Sequence, residues 1–597
     1  MIHRLVTLTL LQAVVATAFA VRAAGGWNYA TQGDGTQIEV KLCGDEWLHY
    51  FVTRDGVPLL MGDEGDLCYA YAYGFGMKSS GIVAHERSLR TEDEWQHVSS
   101  LKAVQSVESL AAAARSEAAV LRRASLQPTH LVGDYRGLVV LADFPDQSFR
   151  SATPKADYEA MLNEEGYAGD ERAVGSVHDY FIAQSHGLFS LSFDVVGPVT
   201  VSKNHDEYPE GYQVRDTFMP EVLKAIASDV DFSRYDWDGD GEVDQVMVIY
   251  AGYGANESFA NNDSTYNTEG CIWPMEWELG RKLTFGGTKV GTFAVCNELS
   301  LFTDSYSGIG TICHEFSHCL GLPDLYDTNT EDDQSVTEDG GIMDSWEIMD
   351  GGNYNDGGWC PPNYSAFERA YCGWLTPTLL SADTVVSGMP SLSVGDVAYK
   401  VVNETPYVNV DEYYLLENRQ QTGWDRSVPG HGLLVWHIDY HASFWRYNHP
   451  NADVSHLRCA AICADNDLLC HYEGRRRYLS GATYPYTDKQ GKVNNQLTDT
   501  STPAAKVFNF NLVGQLFMGK PIKDIAEASD GTVSFSFFSS NATGIAPVAA
   551  DGQSAAVGVW SVGGTAVQRE VGTGRSSSGK SIYIIKGKDG ATKKIFR

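Results

Sequence analysis

The sequence predicts a multidomain α+β protein, and three observations carry that expectation. At roughly 100–200 residues per domain, 597 residues leave room for about three or four domains. Between residues 131 and 378, strand-like and helix-like runs mix without regular alternation, which argues against a repeating βαβ unit. From residue 379 to 540 the helical periodicity fades and short alternating runs replace it. Hydrophobic residues at 43% and charged residues at 20% suit packed cores rather than disorder. Lys+Arg number 44 against 77 Asp+Glu, a net charge of -33. That balance strongly disfavours nonspecific binding to nucleic acid or anionic membrane, which needs a basic face. It fits an exported protein, or one that gathers cations on carboxylates.

Residues 1–20 read as a signal peptide. His3 and Arg4 precede "LVTLTLLQAVVATAFA", a short apolar run that closes in small residues, with cleavage expected after Ala20 and with Ala23 or Ala24 as alternatives. No later stretch is long and apolar enough to span a bilayer. Residues 21–130 form a separate region. "TQIEVKLCGDEWLHYFVTRDGVPLLMGDEGDLCYAYAY" alternates between Gly-Asp turns, and an alanine-rich helical stretch follows. Arg122-Arg123 is a candidate nicking site in the linker, or a solvated pair on a helix. Residues 131–378 open with the buried-type strand "GLVVLADF" and contain the amphipathic helix "EVLKAIASDV" and the strand "DQVMVIYAGYGA". Runs such as "EYYLLENRQ", "GLLVWHIDY" and "GTVSFSFF" then predict a β-sandwich domain over 379–540. Residues 541–597 begin as a Gly/Ala/Ser-rich linker and end in strand-like pieces with a turn at Lys588-Asp589-Gly590.

The chemistry concentrates in "HEFSHCLGLPD", residues 314–324. On a helix from Gly308 to Leu320, the residues Ile309, Ile312, Cys313, Phe316 and Leu320 form one apolar stripe. His314 and His318 lie one above the other on the opposite side, and Glu315 flanks them at about 100°. Two neutral imidazoles suit Zn²⁺, and a catalytic site needs a third protein ligand and an open position for water. Glu315 is placed to take a proton from that water and pass it to a leaving amine. Gly321 suits a left-handed helix stop, after which Asp324 can turn back to the metal. A chance H-E-x-x-H on a surface helix is the bland alternative; the extended H-E-x-x-H-x-x-G-x-x-D is far more specific.

This motif resembles the metzincin proteases, with Asp in place of the usual third His. Met349 in "SWEIMDGGNY" fits the methionine turn such enzymes carry, or is a plain core methionine, and Tyr354 is a candidate donor to the oxyanion. "RGLVVLADFPDQSF", "GSVHDYFIAQSHGLFSLSFDVVGPV", "HEFSHCLGLPDLYD", "WEIMDGGNY", "YYLLENRQQTGWDRSVPGHGLLVWHIDY" and "PIKDIAEASDGTVSFSF" together resemble the immune inhibitor A-type secreted bacterial metalloproteases. The resemblance runs from roughly residue 30 to 540. It implies a metzincin-like zinc endopeptidase with His314 and His318 as ligands and Glu315 as base. It also implies an inhibitory propeptide over 21–130 and protein or peptide substrates. Asp324 is first choice for the third ligand by spacing; Glu368 in "YSAFERAYCGWL" is the gluzincin-like alternative, and Glu347 a further one. Two rival functions remain: an inactive, calcium-stabilised binding or adhesion relative, and a zinc hydrolase of a non-peptide substrate. The intact Glu315 argues against the first, because metal binding alone does not need it.

"DWDGDGEVD" sets Asp236, Asp238 and Asp240 at alternate positions, then Gly241, with the Glu242 carbonyl and Asp244 following. That is the start of a calcium loop, but position twelve is Met247, so a structural calcium turn before a strand is expected rather than a full EF-hand. A polar turn without metal is the alternative. Eleven cysteines in an exported chain suggest disulfides with one thiol left over, and Cys43 with Cys68 is the expected pair ahead of a zinc-capping Cys43. His431 and His437 read as structural, and Cys313 as buried. "SIYIIKGKDGATKKIFR" resembles the last strands of a type IX secretion sorting domain, implying contact with secretion machinery and possible attachment to the bacterial outer surface.

Overall fold

The computed structural model describes residues 27–44, 49–62, 66–73, 76–101, 131–209, 211–257, 268, 270–328, 341–407, 410–468 and 478–540, and the short strands at 19–20, 559–560, 566–567, 582–586 and 592–596. The leader up to residue 18, Arg122-Arg123, Cys470 and the turn at 588–590 lie outside these residues.

The near-continuous apolar runs of residues 131–300 become the strands of a sheet covered on both faces. They are β1 (Gly133–Asp143), β2 (Phe189–Thr200), β3 (Val246–Tyr253), β4 (Met275–Phe285) and β5 (Thr288–Ser300). Their order is β4-β5-β3-β1-β2. β1, β2, β3 and β5 run parallel, and β4 lies antiparallel on β5. Beyond β4, the short strand Phe19–Ala20 pairs antiparallel with Glu276 and Met275. Period-two alternation sorts the side chains. Val139, Leu141, Met247, Ile249, Ala294 and Cys296 face one cluster, while Leu138, Val140, Val246, Val248, Phe293 and Val295 face the other.

The first cluster takes in α1 (Pro154–Asn163), α2 (Val177–Gln184) and α4 (Gly310–Cys319), the helix of the two histidines. A capping box of Ser176 and Asp179 starts α2. The second cluster takes in α3 (Met219–Ile226) and residues of the N-terminal region, among them Ile38, Val40, Leu59 and Tyr69. That region is a six-stranded antiparallel meander from Asn28 to Val83 followed by the helix Glu92–Leu101.

After α5 (Ala366–Tyr371), a five-stranded sheet and a three-stranded sheet follow. The two longest strands of the larger one are β6 (Asp411–Arg419) and β7 (Gly432–Tyr440). Tyr414, Leu416, Leu433 and Val435 pack with Val533, Phe535 and Phe537 of the smaller sheet. Tyr413, Leu415, Leu434, Trp436 and Ile438 join the cluster of α4. The larger sheet is therefore shared, and the regions on either side of residue 378 have one core in common. Residues 1–541 group as one compact unit and 542–597 as another. The latter holds four short antiparallel strands, with Ile582–Lys586 paired to Thr592–Phe596.

Two sequence expectations change. None of the ten described cysteines is disulfide-bonded. Cys43 and Cys68 sit on strands with two others between them, about 14 Å across a sheet, beyond the reach of a disulfide. The histidine helix is also not open on its ligand side: Gly310 to His318 are buried all round. Among the described residues no helix is long and apolar enough to cross a membrane.

Candidate metal centre

α4 owes its position to two close approaches of backbone. A Cβ on Gly310 would stand 1.9 Å from the Asn353 carbonyl oxygen, so only glycine lets the 351–358 turn lie against the first turn of the helix. At the other end Gly321 adopts φ +92°, and its N–H donates to the His318 carbonyl at 2.9 Å. This left-handed residue reverses the chain, so that Leu322 and Asp324 return toward the histidines.

The ring hydrogen bonds define the histidines chemically. His314 Nδ1 lies 2.7 Å from the Ile348 carbonyl, and His318 Nδ1 lies 2.8 Å from the Leu322 carbonyl. A carbonyl only accepts, so each Nδ1 carries the proton and each Nε2 keeps its lone pair. The rings stand 4.8 Å apart at 89°. Asp324 Oδ1 lies 3.2 Å from His314 Nε2 and 3.5 Å from His318 Nε2. One donor atom from each of the three residues thus falls within 4.8 Å of the others. His314 Nε2 and Asp324 Oδ1 are fully buried and make no hydrogen bond among the described residues. Two imidazole lone pairs and a carboxylate oxygen, converging at one buried point, are a donor set that fits Zn²⁺. Burial pushes the Asp324 carboxyl above its ordinary value, with His314, Asn448 and Tyr326 opposing.

Glu315, next to His314, is buried as well, and its carbonyl accepts from Gln245 Nε2 at 3.2 Å. Met349 is tied to the centre through backbone: Ile348 before it holds His314, and its own carbonyl accepts the Leu325 N–H at 2.7 Å. The next residue, Asp350, accepts three backbone N–H groups, of Ile342, Met343 and Asp344, at 2.8, 2.8 and 3.0 Å. That carboxylate fixes the loop under the histidines. The Tyr354 hydroxyl accepts from Asn256 Nδ2 at 2.9 Å.

Glu368 is not brought to the histidines. Its carboxylate accepts from the N–H and Oγ of Ser365 at 2.7 and 3.0 Å, closing a capping box at the start of α5. Glu347 faces Glu368, and burial together with that second carboxyl raises it well above its ordinary value. The two form a buried acid pair, not a metal ligand set.

In the acidic turn, Asp236, Asp238 and Asp244 bring carboxylate oxygens together within 4.8 Å, outside which Asp240 falls. Asp240 Oδ1 accepts the Glu242 N–H at 2.9 Å, and the Glu242 carboxylate pairs with Lys282 at 2.5 Å. The turn leans on α4: Trp237 lies 5.9 Å from Phe316, and Gln245 follows Asp244 directly. His437 pairs with Glu412 and His431 with Glu527, both at 2.8 Å and in the C-terminal sheets. Burial raises the Cys313 and Cys319 thiols well above their ordinary values, which keeps them protonated.

Sequence reasoning missed Asn448, whose amide grips Asp324, and Thr328, whose hydroxyl donates to the Asn448 carbonyl at 2.9 Å. They are 120 positions apart along the chain, with no shared motif to announce them.

Residues 138–375 match the immune inhibitor A peptidase M6 catalytic domain. Immune inhibitor A of Bacillus thuringiensis subsp. alesti is 26% identical over 264 residues, covering 36% of this chain and 36% of that protein. The pre-pro-metalloprotease PrtV of Vibrio cholerae serotype O1 is 26% identical over 282 residues, covering 39% of this chain and 29% of that protein. The match thus spans between 29% and 36% of the length of these curated relatives.

Proposed function

From the match of residues 138–375 to the immune inhibitor A peptidase M6 catalytic domain, we propose that the chain is a secreted zinc endopeptidase made in a latent form. One observation carries the reading: His314, His318 and Asp324 converge at a single buried point with Glu315 beside it. His314 and His318 would hold the metal through Nε2 and Asp324 through Oδ1. A bound Zn²⁺ supplies Lewis acidity toward a peptide carbonyl and eases deprotonation of a water. Glu315 accepts that proton and delivers it to the departing amine. Tyr354, on the turn that Gly310 admits, is the proposed hydrogen-bond donor to the oxygen that gains charge.

Latency is supported by the closure of the site. His314, Glu315, His318 and Asp324 are each no more than 1% exposed, so substrate entry requires a segment to move. Removal of the N-terminal region is the proposed activating step. The Asp236, Asp238 and Asp244 turn is proposed to hold Ca²⁺ and to brace α4 through Trp237 and Gln245. Asp240 and the Glu242 carbonyl would contribute if the turn tightens around the ion. Residues 542–597, a compact unit of their own, are proposed as the sorting segment.

The test uses processed protein. Zinc content and cleavage of an unfolded protein are compared for the wild type and Glu315→Ala. Stoichiometric zinc in both, with cleavage in the wild type alone, is the expected result. Zinc without wild-type cleavage would end the peptidase reading in favour of an inactive binding relative. Equal cleavage by both proteins would remove Glu315 from its role.

A further inference from the structure

Asp324 is gripped by a residue 124 positions away. Asn448 Nδ2 donates to Asp324 Oδ2 at 2.6 Å, and Asn448 Oδ1 accepts from the Asp324 backbone N–H at 2.7 Å. The two bonds close a ring through Cα, Cβ and Cγ of Asp324, which fixes both side-chain torsions. With Oδ2 engaged, Oδ1 is the oxygen that faces His314 Nε2 and His318 Nε2.

Asn448 is itself held firmly. It is buried, its N–H donates to the Trp445 carbonyl at 3.2 Å, and its carbonyl accepts from Thr328. Its φ is +57°, a conformation asparagine tolerates better than most residues. It follows the short helix Ala442–Arg446, which leaves β7, so it belongs to the C-terminal region and not to residues 138–375.

We propose that Asn448 is a positioning residue for the metal centre, setting which oxygen of Asp324 meets the ion and at what angle. The proposal rests on Asp324 being a metal ligand. It makes the C-terminal sheet region part of the centre, not an appendage to it. The amide is required for its two unlike ends. An aspartate there would lose the donor and set two carboxylates face to face, although its shape is nearly the same. Asn451 provides an internal control. It too is buried and donates to the Leu325 carbonyl at 2.7 Å, and none of its hydrogen bonds goes to the Asp324 carboxylate.

The experiment measures zinc affinity of the full chain by competition with a chromogenic chelator, and the visible spectrum after cobalt(II) substitution. Asn448→Asp, Asn448→Ala, Asn451→Ala and His314→Ala are compared, each checked for native circular dichroism. Both Asn448 variants are expected to weaken zinc by about 10–100-fold and to shift the cobalt bands, with Asn451→Ala within about threefold of wild type. Equal weakening by Asn448→Ala and Asn451→Ala would reduce Asn448 to a packing role and overturn the proposal. So would wild-type affinity in Asn448→Asp while His314→Ala loses zinc. Wild-type affinity in His314→Ala would instead bring down the metal-centre reading itself.

Discussion

The chemistry at the centre hangs on individual side chains whose states are fixed by what they touch. Each histidine gives its Nδ1 proton to a carbonyl, leaving Nε2 for a metal. Glu315 makes no part of that donor set, so its loss should spare the metal and remove the proposed base. Glu315→Gln is expected to lower kcat by about 10²–10⁴-fold at unchanged zinc content, measured by steady-state cleavage and metal analysis. A second carboxyl reports on pH. Burial pushes Glu257 up to about 7, against the N–H groups of Leu301 and Phe302. Between pH 4.5, its ordinary value, and about 7 the folded chain keeps a proton that the unfolded chain has lost. Stability from this group therefore falls as pH rises through that window and levels off above it. Glu257→Gln is expected to flatten the decline, which is worth on the order of 3 kcal/mol in denaturant melts taken from pH 4.5 to 8.

At the scale of elements, the helix of the two histidines was readable because its motif is local. The spacing of His314, Glu315, His318, Gly321 and Asp324 is a consequence of one helix and one left-handed stop. What was not readable is the cover on that helix. The apolar stripe implied one buried face, yet all of Gly310–His318 is buried, because the 351–358 turn, β4 and β5 also pack against it. Glu368 stood as the alternative to Asp324 for the third ligand. Only the position of Ser365 shows that it caps α5. The Cys43–Cys68 pairing failed for a similar reason, since pairing depends on strand order and not on spacing. Gly310→Ala is expected to be among the most damaging substitutions, because its methyl would overlap the Asn353 carbonyl. Overpacking of this kind costs about 1–3 kcal/mol or more and should appear as a lowered Tm. The acidic turn gives a further prediction. Calcium at about 100 times its Kd should stabilise the protein by about 2.7 kcal/mol, and Asp238→Ala should abolish that gain in thermal melts.

On the scale of the whole molecule, the larger C-terminal sheet is a common wall. Its residues Leu415 and Trp436 pack into the core of the histidine helix, and Leu416 and Val435 pack against the smaller sheet. Both regions should therefore unfold together. Trp436→Ala is expected to cost about 3–5 kcal/mol and to lower the melting of residues 131–378 with that of the sheets, in a single transition. The strand alternation of residues 379–540 was legible, but which face would be shared was not, since both faces are apolar.

The metal's position is the most direct test of the centre. Crystals of the processed, zinc-loaded protein should show one anomalous peak at the zinc edge, bonded to His314 Nε2, His318 Nε2 and Asp324 Oδ1 at about 2.0–2.2 Å. A peak ligated by Glu368 in place of Asp324, or no peak between the two histidines, would contradict it.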